Sequence, residues 1–439
     1  MNKKTIWIVI VLSLILSIIV AVSAPLSQGV TSRKQAQIAA VDDTWRASLP
    51  RDPMAATEAY MARISPEAKT RSDAYFEGKY WLQLIDLFVS IAAAVIVLRS
   101  KVLARVRDRL SKKWRFQWMI DSVTAMVCTF VMSVITLPLT VYEGFYREHL
   151  YGLSNMQALD WFKENMLMVC ISTVSIGISI GMIYIALRLT RRHWWLWGAG
   201  ISISLLGVFM FLAPNYIDPL FNTYQPITDV RIKDPVLAMM RANGVPVNNV
   251  YQFDASKQTD RASANVSGIF GSAAVRMNDN LLQRSSVSEI KAVLGHELGH
   301  YVMNHVYKIW MEIGIVLVLG FAFVKRLLEW SLDKWGFSLG LRSYADIAAL
   351  PLLSIWFSVF MFISTPISNT LIRTQETEAD IFGINASAEP LGFAEEMLKL
   401  TAYRKSDPGD VEEWLFFDHP SPRKRIYSAM RWRAEQLKP

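Results

Sequence analysis

At 439 residues, with 52% hydrophobic and only 19% charged residues, the chain is too apolar for an ordinary water-soluble protein of two or three domains. Its 15 Trp and 19 Met fit a protein for which lipid is part of the solvent. The formal net charge of +8 does not signal a nucleic-acid partner, because the basic residues gather in short loops beside apolar runs, where membrane topology explains them.

The chain opens Met-Asn-Lys-Lys, then stays uncharged from Thr5 to Ser32. The apolar core from Ile6 to Val22 is long for a secretory leader, and cleavage after Ala24 would put Pro25 next, so a retained first membrane helix is expected. About 20 apolar helical residues cross a bilayer's hydrocarbon core. Seven segments qualify, roughly 5–24, 80–98, 117–142, 165–187, 194–213, 308–324 and 347–372. Asp86, Asp121 and Glu312 fall in the second, third and sixth, where a carboxylate has to face the bundle interior, a wet cavity or the interface. Cys128 and Cys170 sit inside apolar runs and read as small packing residues without metal-ligand spacing.

Two segments between the spans read as extramembrane. Residues 25–78 are polar, with Pro50, Pro53 and Pro66 punctuating short helical patterns. Residues 214–307 begin with the Pro- and Asn-rich stretch Pro214–Ile227, in which no regular element can run far. Strand-like runs follow at Val250–Phe253 and Ala273–Met277, separated by a Gly- and Ser-rich stretch around Gly268 and Gly271. The tail beyond Ile372 is helical by pattern, with a break at Ser406–Asp410.

The sharpest signal is His296-Glu297-Leu298-Gly299-His300. Ser286 and Glu289 have the spacing of a capping box that opens a helix ahead of it. Residues four apart share a helical face, so both imidazoles can reach one ion. Glu297 can then take a proton from water that the metal has acidified, without being a ligand itself. Tetrahedral zinc needs a third protein ligand and keeps its fourth place for water. The stretch Arg373–Asp380 offers that ligand: Glu376 and Asp380 share a face, so one can bind the metal while the other steadies a liganding histidine. Glu378 points elsewhere and is the fallback. In Phe417–Ile426, His419 or Arg425 can stabilise the oxyanion of a tetrahedral intermediate. His305, His149 and His193 read as ordinary residues near the membrane interface.

With these motifs in hand, the chain resembles the integral-membrane CAAX prenyl proteases of the gluzincin class. The matching stretches run in order: Tyr142–Asn155, Ile217–Asn222, Ser263–Asn265 with Gly268, the HELGH motif, Glu376 to Asp380, and His419-Pro420 with Arg425. The resemblance implies zinc on His296, His300 and Glu376, with Glu297 as catalytic base. It also implies His419 and Arg425 near the oxyanion or substrate, and Asn265 contacting substrate backbone. The fold it implies is mainly α, a seven-transmembrane-helix bundle enclosing a chamber, with an α+β gluzincin zinc-protease domain to whose sheet edge a peptide adds as a strand. One departure concerns Ala264–Gly271, which lacks the His and aromatic associated with members acting on prenylated substrates. The peptidase chemistry is untouched by that departure, and the identity of the substrate is left open.

Charge and resemblance disagree on orientation. The loop 99–116 carries eight Lys/Arg against one Asp, 188–192 carries three Arg, and Lys325-Arg326 follow the sixth span. The positive-inside rule makes these loops cytoplasmic and turns the zinc site away from the cytoplasm, whereas the resemblance implies a cytosol-facing site. An outward site in a bacterium favours quality control of membrane or exported proteins.

The expected organisation is a first span and helical segment at 1–78, spans two to five at 79–213, a metalloprotease core at 214–307, spans six and seven at 308–372, and the rest of the protease domain at 373–439. The expected protein is a membrane-embedded zinc endopeptidase with one zinc ion, in a bacterial inner membrane or, in a eukaryote, the endoplasmic reticulum. Its partners are a peptide or protein substrate, C-terminally prenylated or not, and the lipid bilayer, with no nucleic acid. The competing class is a multi-pass transporter or scaffold with a structural metal. Such sites are usually closed by four protein ligands, whereas three ligands with a carboxylate base beside them are the pattern of catalysis.

Overall fold

The computed structural model describes residues 3–25, 41–190, 192–267 and 273–437. The expected Gly- and Ser-rich turn at Gly268 and Gly271, Arg191, and 26–40 of the first polar segment lie outside the described residues.

The apolar runs form long helices. In chain order these are α1 (Lys3–Val22), α2 (Pro66–Ser100), α3 (Gln117–Val141), α4 (Ala158–Thr190) and α5 (Trp194–Leu212). After the extramembrane segment come α6 (Val287–Val302), α7 (His305–Leu339), α8 (Leu350–Ser387), α9 (Pro390–Leu400) and α10 (Pro422–Gln436). Two prolines of the first polar segment, Pro53 and Pro66, start helices rather than break them. Pro53 opens a short helix, and Pro66 opens α2 behind Ser65, whose side chain accepts from the Ala68 amide. Helices α2 and α8 run straight through positions 78 and 372, so membrane and extramembrane parts share continuous helices.

Among the described residues, six helices are long and apolar enough to cross a membrane: α1 to α5 and α8, with α3 and α5 extended by the turns that follow them. The protein is a multi-pass membrane protein. The seventh expected segment, 308–324, lies in α7, a 35-residue helix. Lys308 and Glu312 at one end and Lys325-Arg326 at the other leave an uncharged stretch from Ile313 to Val324. That stretch rises only about 18 Å, short of a hydrocarbon core of about 30 Å.

Small residues let the helices close up. A Cβ on Gly181 of α4 would stand 2.0 Å from Ser122 Oγ of α3, and one on Gly177 would stand 2.3 Å from Met126 Cγ. Several polar residues of the spans are paired. Asp121 is fully buried and takes both guanidinium nitrogens of Arg188, at 2.8 Å for Nη2, together with Gln117 Nε2 at 3.1 Å. Asp346, ahead of α8, is buried against Arg107. Glu312 accepts a hydrogen bond from Gln375 at 2.7 Å.

The extramembrane part carries a four-stranded sheet in the order β1-β2-β4-β3, from β1 (Tyr224–Pro226), β2 (Val250–Phe253), β3 (Ala264–Ser267) and β4 (Ala274–Asn278). β2 and β4 are parallel, and the outer pairs are antiparallel. The two expected strands are β2 and β4, the latter one residue further on; β1 and β3 were not foreseen. Val250, Val275 and Met277 on one face pack against Ile290, Leu294 and Leu298 of α6 in one buried core.

Removing the Asp121 carboxylate leaves Arg188 without its buried counter-charge. Asp121→Ala is therefore expected to cost about 3 kcal/mol, measured as a lowered thermal unfolding midpoint in detergent, with Asp121→Asn milder.

Candidate metal centre

The sequence of α6 gives that helix three faces. At about 100° per residue, Ile290, Leu294 and Leu298 form an apolar stripe, Gly295 and Gly299 a second stripe, and His296 and His300 a third. The expected capping box is present: the Ser286 hydroxyl accepts from the Glu289 amide at 3.3 Å, and the Glu289 carboxylate accepts from the Ser286 amide at 2.5 Å. The apolar stripe lies on the sheet and fixes the rotation of the helix.

The glycine stripe meets α8. A Cβ on Gly295 would stand 2.7 Å from the Gly383 carbonyl oxygen, and one on Gly383 would stand 2.5 Å from the His296 amide nitrogen. A Cβ on Gly299 would come within 3.0 Å of the Ala379 backbone. The two helices therefore touch backbone to backbone. That proximity lets the short reach of Glu376, one turn before Asp380, bring its carboxylate to both histidines.

His296 Nε2 lies 3.3 Å from Glu376 Oε2, His300 Nε2 lies 3.3 Å from Oε1, and the two histidine Nε2 atoms are 3.1 Å apart. All three donor atoms fall within 4.8 Å of one another. Two observations fit the group to a divalent metal such as zinc. Glu376 Oε2 is buried with no hydrogen-bond partner, a state costly to a carboxylate unless a cation meets it. Burial disfavours the charged form of His296, yet Asp380 and Glu376 outweigh it and raise its pKa to about 9, so the cluster attracts positive charge. Two imidazoles and a carboxylate are a zinc-type donor set.

Around the three donors, further residues fix the rings. Asp380 Oδ1 lies 2.8 Å from His296 Nδ1, on the side of the ring away from Glu376. Arg425 is buried and grips Asp380 with two hydrogen bonds, of 2.8 and 2.5 Å, with Nη2 also 3.4 Å from His296 Nδ1. Its guanidinium is thus engaged behind the histidine. His300 Nδ1 faces His305 Nδ1 at 2.9 Å, and His305 Nε2 faces Glu378 at 3.1 Å. His305 is buried, so the reading of it as an ordinary interfacial residue is overturned, and Glu378, the fallback ligand, serves His305 and Lys308 instead. Asn304 in the left-handed conformation breaks the helix and turns His305 back toward His300, a contact that regular helical spacing does not reveal.

His419 Nδ1 is held by Asp418 at 2.8 Å, which directs Nε2 to 3.3 Å from Glu376 Oε2. Burial pushes the His419 pKa down, and the Asp418 carboxylate, an acceptor, keeps a proton on Nδ1. Glu297 lines the same cavity, of about 180 Å³, with His296, His419 and Arg425. Its side chain is partly accessible, yet protein surrounds the carboxyl. That desolvation raises its pKa against the pull of His296 and His300. Asn265 belongs to a different cavity: it lies on β3, paired with Arg276, and accepts a hydrogen bond from Ser267 at 3.0 Å. Its neighbours Ser263 and Ala264 are the β3-side residues that line the metal cavity.

A helical membrane region joined to an HExxH site completed by a glutamate from a later helix defines a class, the integral-membrane metalloproteases. Family comparison gives the same answer at both ends of the chain: residues 226–433 match peptidase family M48, and residues 51–223 match the CAAX prenyl protease N-terminal region of five membrane helices. The match to peptidase family M48 covers the part of the chain that carries the metal centre. It is 27% identical over 370 residues to an uncharacterized metalloprotease, YhfN, of Bacillus subtilis, covering 83% of this chain and 86% of that one. It is 24% identical to CAAX prenyl protease 1 of Saccharomyces cerevisiae over 374 residues, covering 77% and 78% of the two chains. Its fold matches the crystal structure of S. mikatae Ste24p with a TM-score of 0.64 at 16% identity, over 97% of this chain and 98% of that one.

If His305 orients His300, His305→Ala will weaken metal affinity about 10- to 100-fold, measured by competition with a chelating dye, although no donor atom is lost. Gly383→Ala, which forces α6 and α8 apart, will lower metal occupancy in the same assay, and an unchanged occupancy would contradict the role given to the helix contact.

Proposed function

We propose that the protein is a zinc endopeptidase that holds one ion on His296, His300 and Glu376 and hydrolyses peptide bonds in membrane-associated polypeptides. The observation that carries this reading is the convergence of three donors from two helices beside Glu297, a carboxylate that lines the cavity outside the donor group. Zinc held there would supply Lewis acidity toward water and the scissile carbonyl. Glu297, whose burial makes it a stronger base than an ordinary glutamate, accepts the proton of the attacking water and returns it to the leaving amine. His419, its Nδ1–H held by Asp418, would donate from Nε2 to the carbonyl oxygen in its doubly protonated form as negative charge develops there. Asp380 and Arg425 act through His296, keeping its Nε2 turned to the site.

The substrate lies along β3, whose outer edge is free of strand pairing among the described residues. The Asn278 amide donates to the Ser263 carbonyl, so in the antiparallel ladder Ala264 and Val266 turn their amides and carbonyls outward, ready for a peptide backbone. Relatives named CAAX prenyl protease 1 support a lipidated, membrane-linked substrate, whereas Ala264–Gly271 favours a broader range that includes unlipidated membrane or exported proteins. Counting α7 as a span makes a bundle of seven helices, within which an enclosed chamber would admit the substrate. The basic loops 99–116 and 188–192 support a metal face turned from the cytoplasm, in a bacterial inner membrane or, in a eukaryote, the endoplasmic reticulum.

The test uses purified protein in detergent, its zinc content, and two quenched peptides, one with a prenylated C-terminal CAAX sequence and one unlipidated. Glu297→Gln is expected to keep its zinc and to lose 100-fold or more of turnover, about the size of a general-base effect. Full activity in that variant with zinc bound would sink the mechanism. A strong preference for the lipidated peptide assigns prenyl-protein processing, and equal cleavage assigns general membrane proteolysis.

A further inference from the structure

The strand β3 separates two cavities. Its residue Ala264 lines the metal cavity, and the next residue, Asn265, lines a second cavity of about 490 Å³ on the opposite face of the sheet. That second space is bordered by the first turns of α4 and by the Asp218–Asn222 turn after α5. Its walls are aromatic, from Trp161, Phe221, Tyr224 and Phe253, and two carboxylates, Glu164 and Asp218, stand among them.

The two carboxylates differ. Glu164 is engaged, both oxygens accepting from Gln258 Nε2 at 3.0 Å. Asp218 is half-buried, and its carboxylate makes no hydrogen bond or ion pair among the described residues. Its nearest interacting cation, Arg276, is turned to the Ser267 hydroxyl and to the Tyr224 ring. A carboxylate without a partner among aromatic rings is the complement of a long apolar stem with a cationic tip.

We infer that this second cavity is a substrate side-chain subsite that takes an arginine or lysine of the peptide bound along β3. The inference rests on the proposed strand addition to β3. In an added antiparallel strand, successive side chains alternate between faces, and each lies on the same face as the residue directly opposite it. The substrate residue opposite Ala264 turns to the metal side, and the residue opposite Asn265 turns into the second cavity. Arginine fits best there, since its planar guanidinium can stack on Trp161 or Tyr224 while it pairs with Asp218. The Ile217–Asn222 stretch, which touches no metal ligand, thereby acquires a role in choosing substrates.

The test is a set of unlipidated quenched peptides in which Arg, Met or Glu is placed in turn at each position, with the zinc-loaded full-length protein. One position is expected at which Arg exceeds Glu by about tenfold in kcat/KM. That ratio should shrink toward one in Asp218→Asn and invert in Asp218→Lys. Because the readout is a ratio within each variant, a general loss of activity or yield does not mimic it. A ratio that survives both substitutions, or no position with a charge preference while peptides are cleaved, overturns the subsite and leaves the protease reading standing. No cleavage of any peptide by the zinc-loaded protein overturns both.

Discussion

The site depends on two helices touching through their backbones. Gly295 and Gly299 of α6 lie against Ala379 and Gly383 of α8, at distances where a Cβ on either glycine of the central pair would collide. Glutamate has two methylenes between backbone and carboxylate, so Glu376 can meet imidazoles on a neighbouring helix only if the axes are close. The apolar stripe of α6 on the sheet sets which way its histidines point, and the glycine stripe sets how far away the third donor is. Asp380, Arg425 and His305 then hold ring orientations within a separation already fixed.

The same helix pair ties the metal centre to the membrane bundle. Helix α8 begins among apolar spans and ends in the protease core, and α7 follows α6 after only Met303 and the left-handed Asn304. No flexible linker separates the two regions at these points. Two carboxylates within the bundle are committed to cations of the basic loops, Asp121 to Arg188 and Asp346 to Arg107. Part of the basic character of the loops therefore holds helices together, which weakens loop charge as a guide to orientation.

Much of this was legible in the sequence because it depends on local pattern. The HELGH spacing, the Ser286–Glu289 cap, the apolar runs and the Glu376–Asp380 spacing each follow from helical geometry, and the structure brings the named side chains together. What was missed depends on contacts distant in sequence or on irregular backbone. β3 has one β-branched residue in four, Val266, and β1 ends in a proline, so their pairing with β4 and β2 defines them rather than propensity. His305 lies five residues from His300, off the helical repeat, and only the turn at Asn304 returns it. Gly295 and Gly383 carry no chemical signal, and their meaning appears only when the facing helix is known. Asp418 likewise gained its part only once His419 was seen to turn toward Glu376.

Helix α8 is continuous for 38 residues, and Glu376 lies 26 residues beyond its start at Leu350. At about 1.5 Å per residue that is some 39 Å along the helix. The helix is therefore a ruler with one end among the lipid-facing spans and its mark at the metal. A polypeptide tethered in the same bilayer presents its bonds at heights set by its own anchor. For a substrate of that kind, reach would be the first filter on what can be cut.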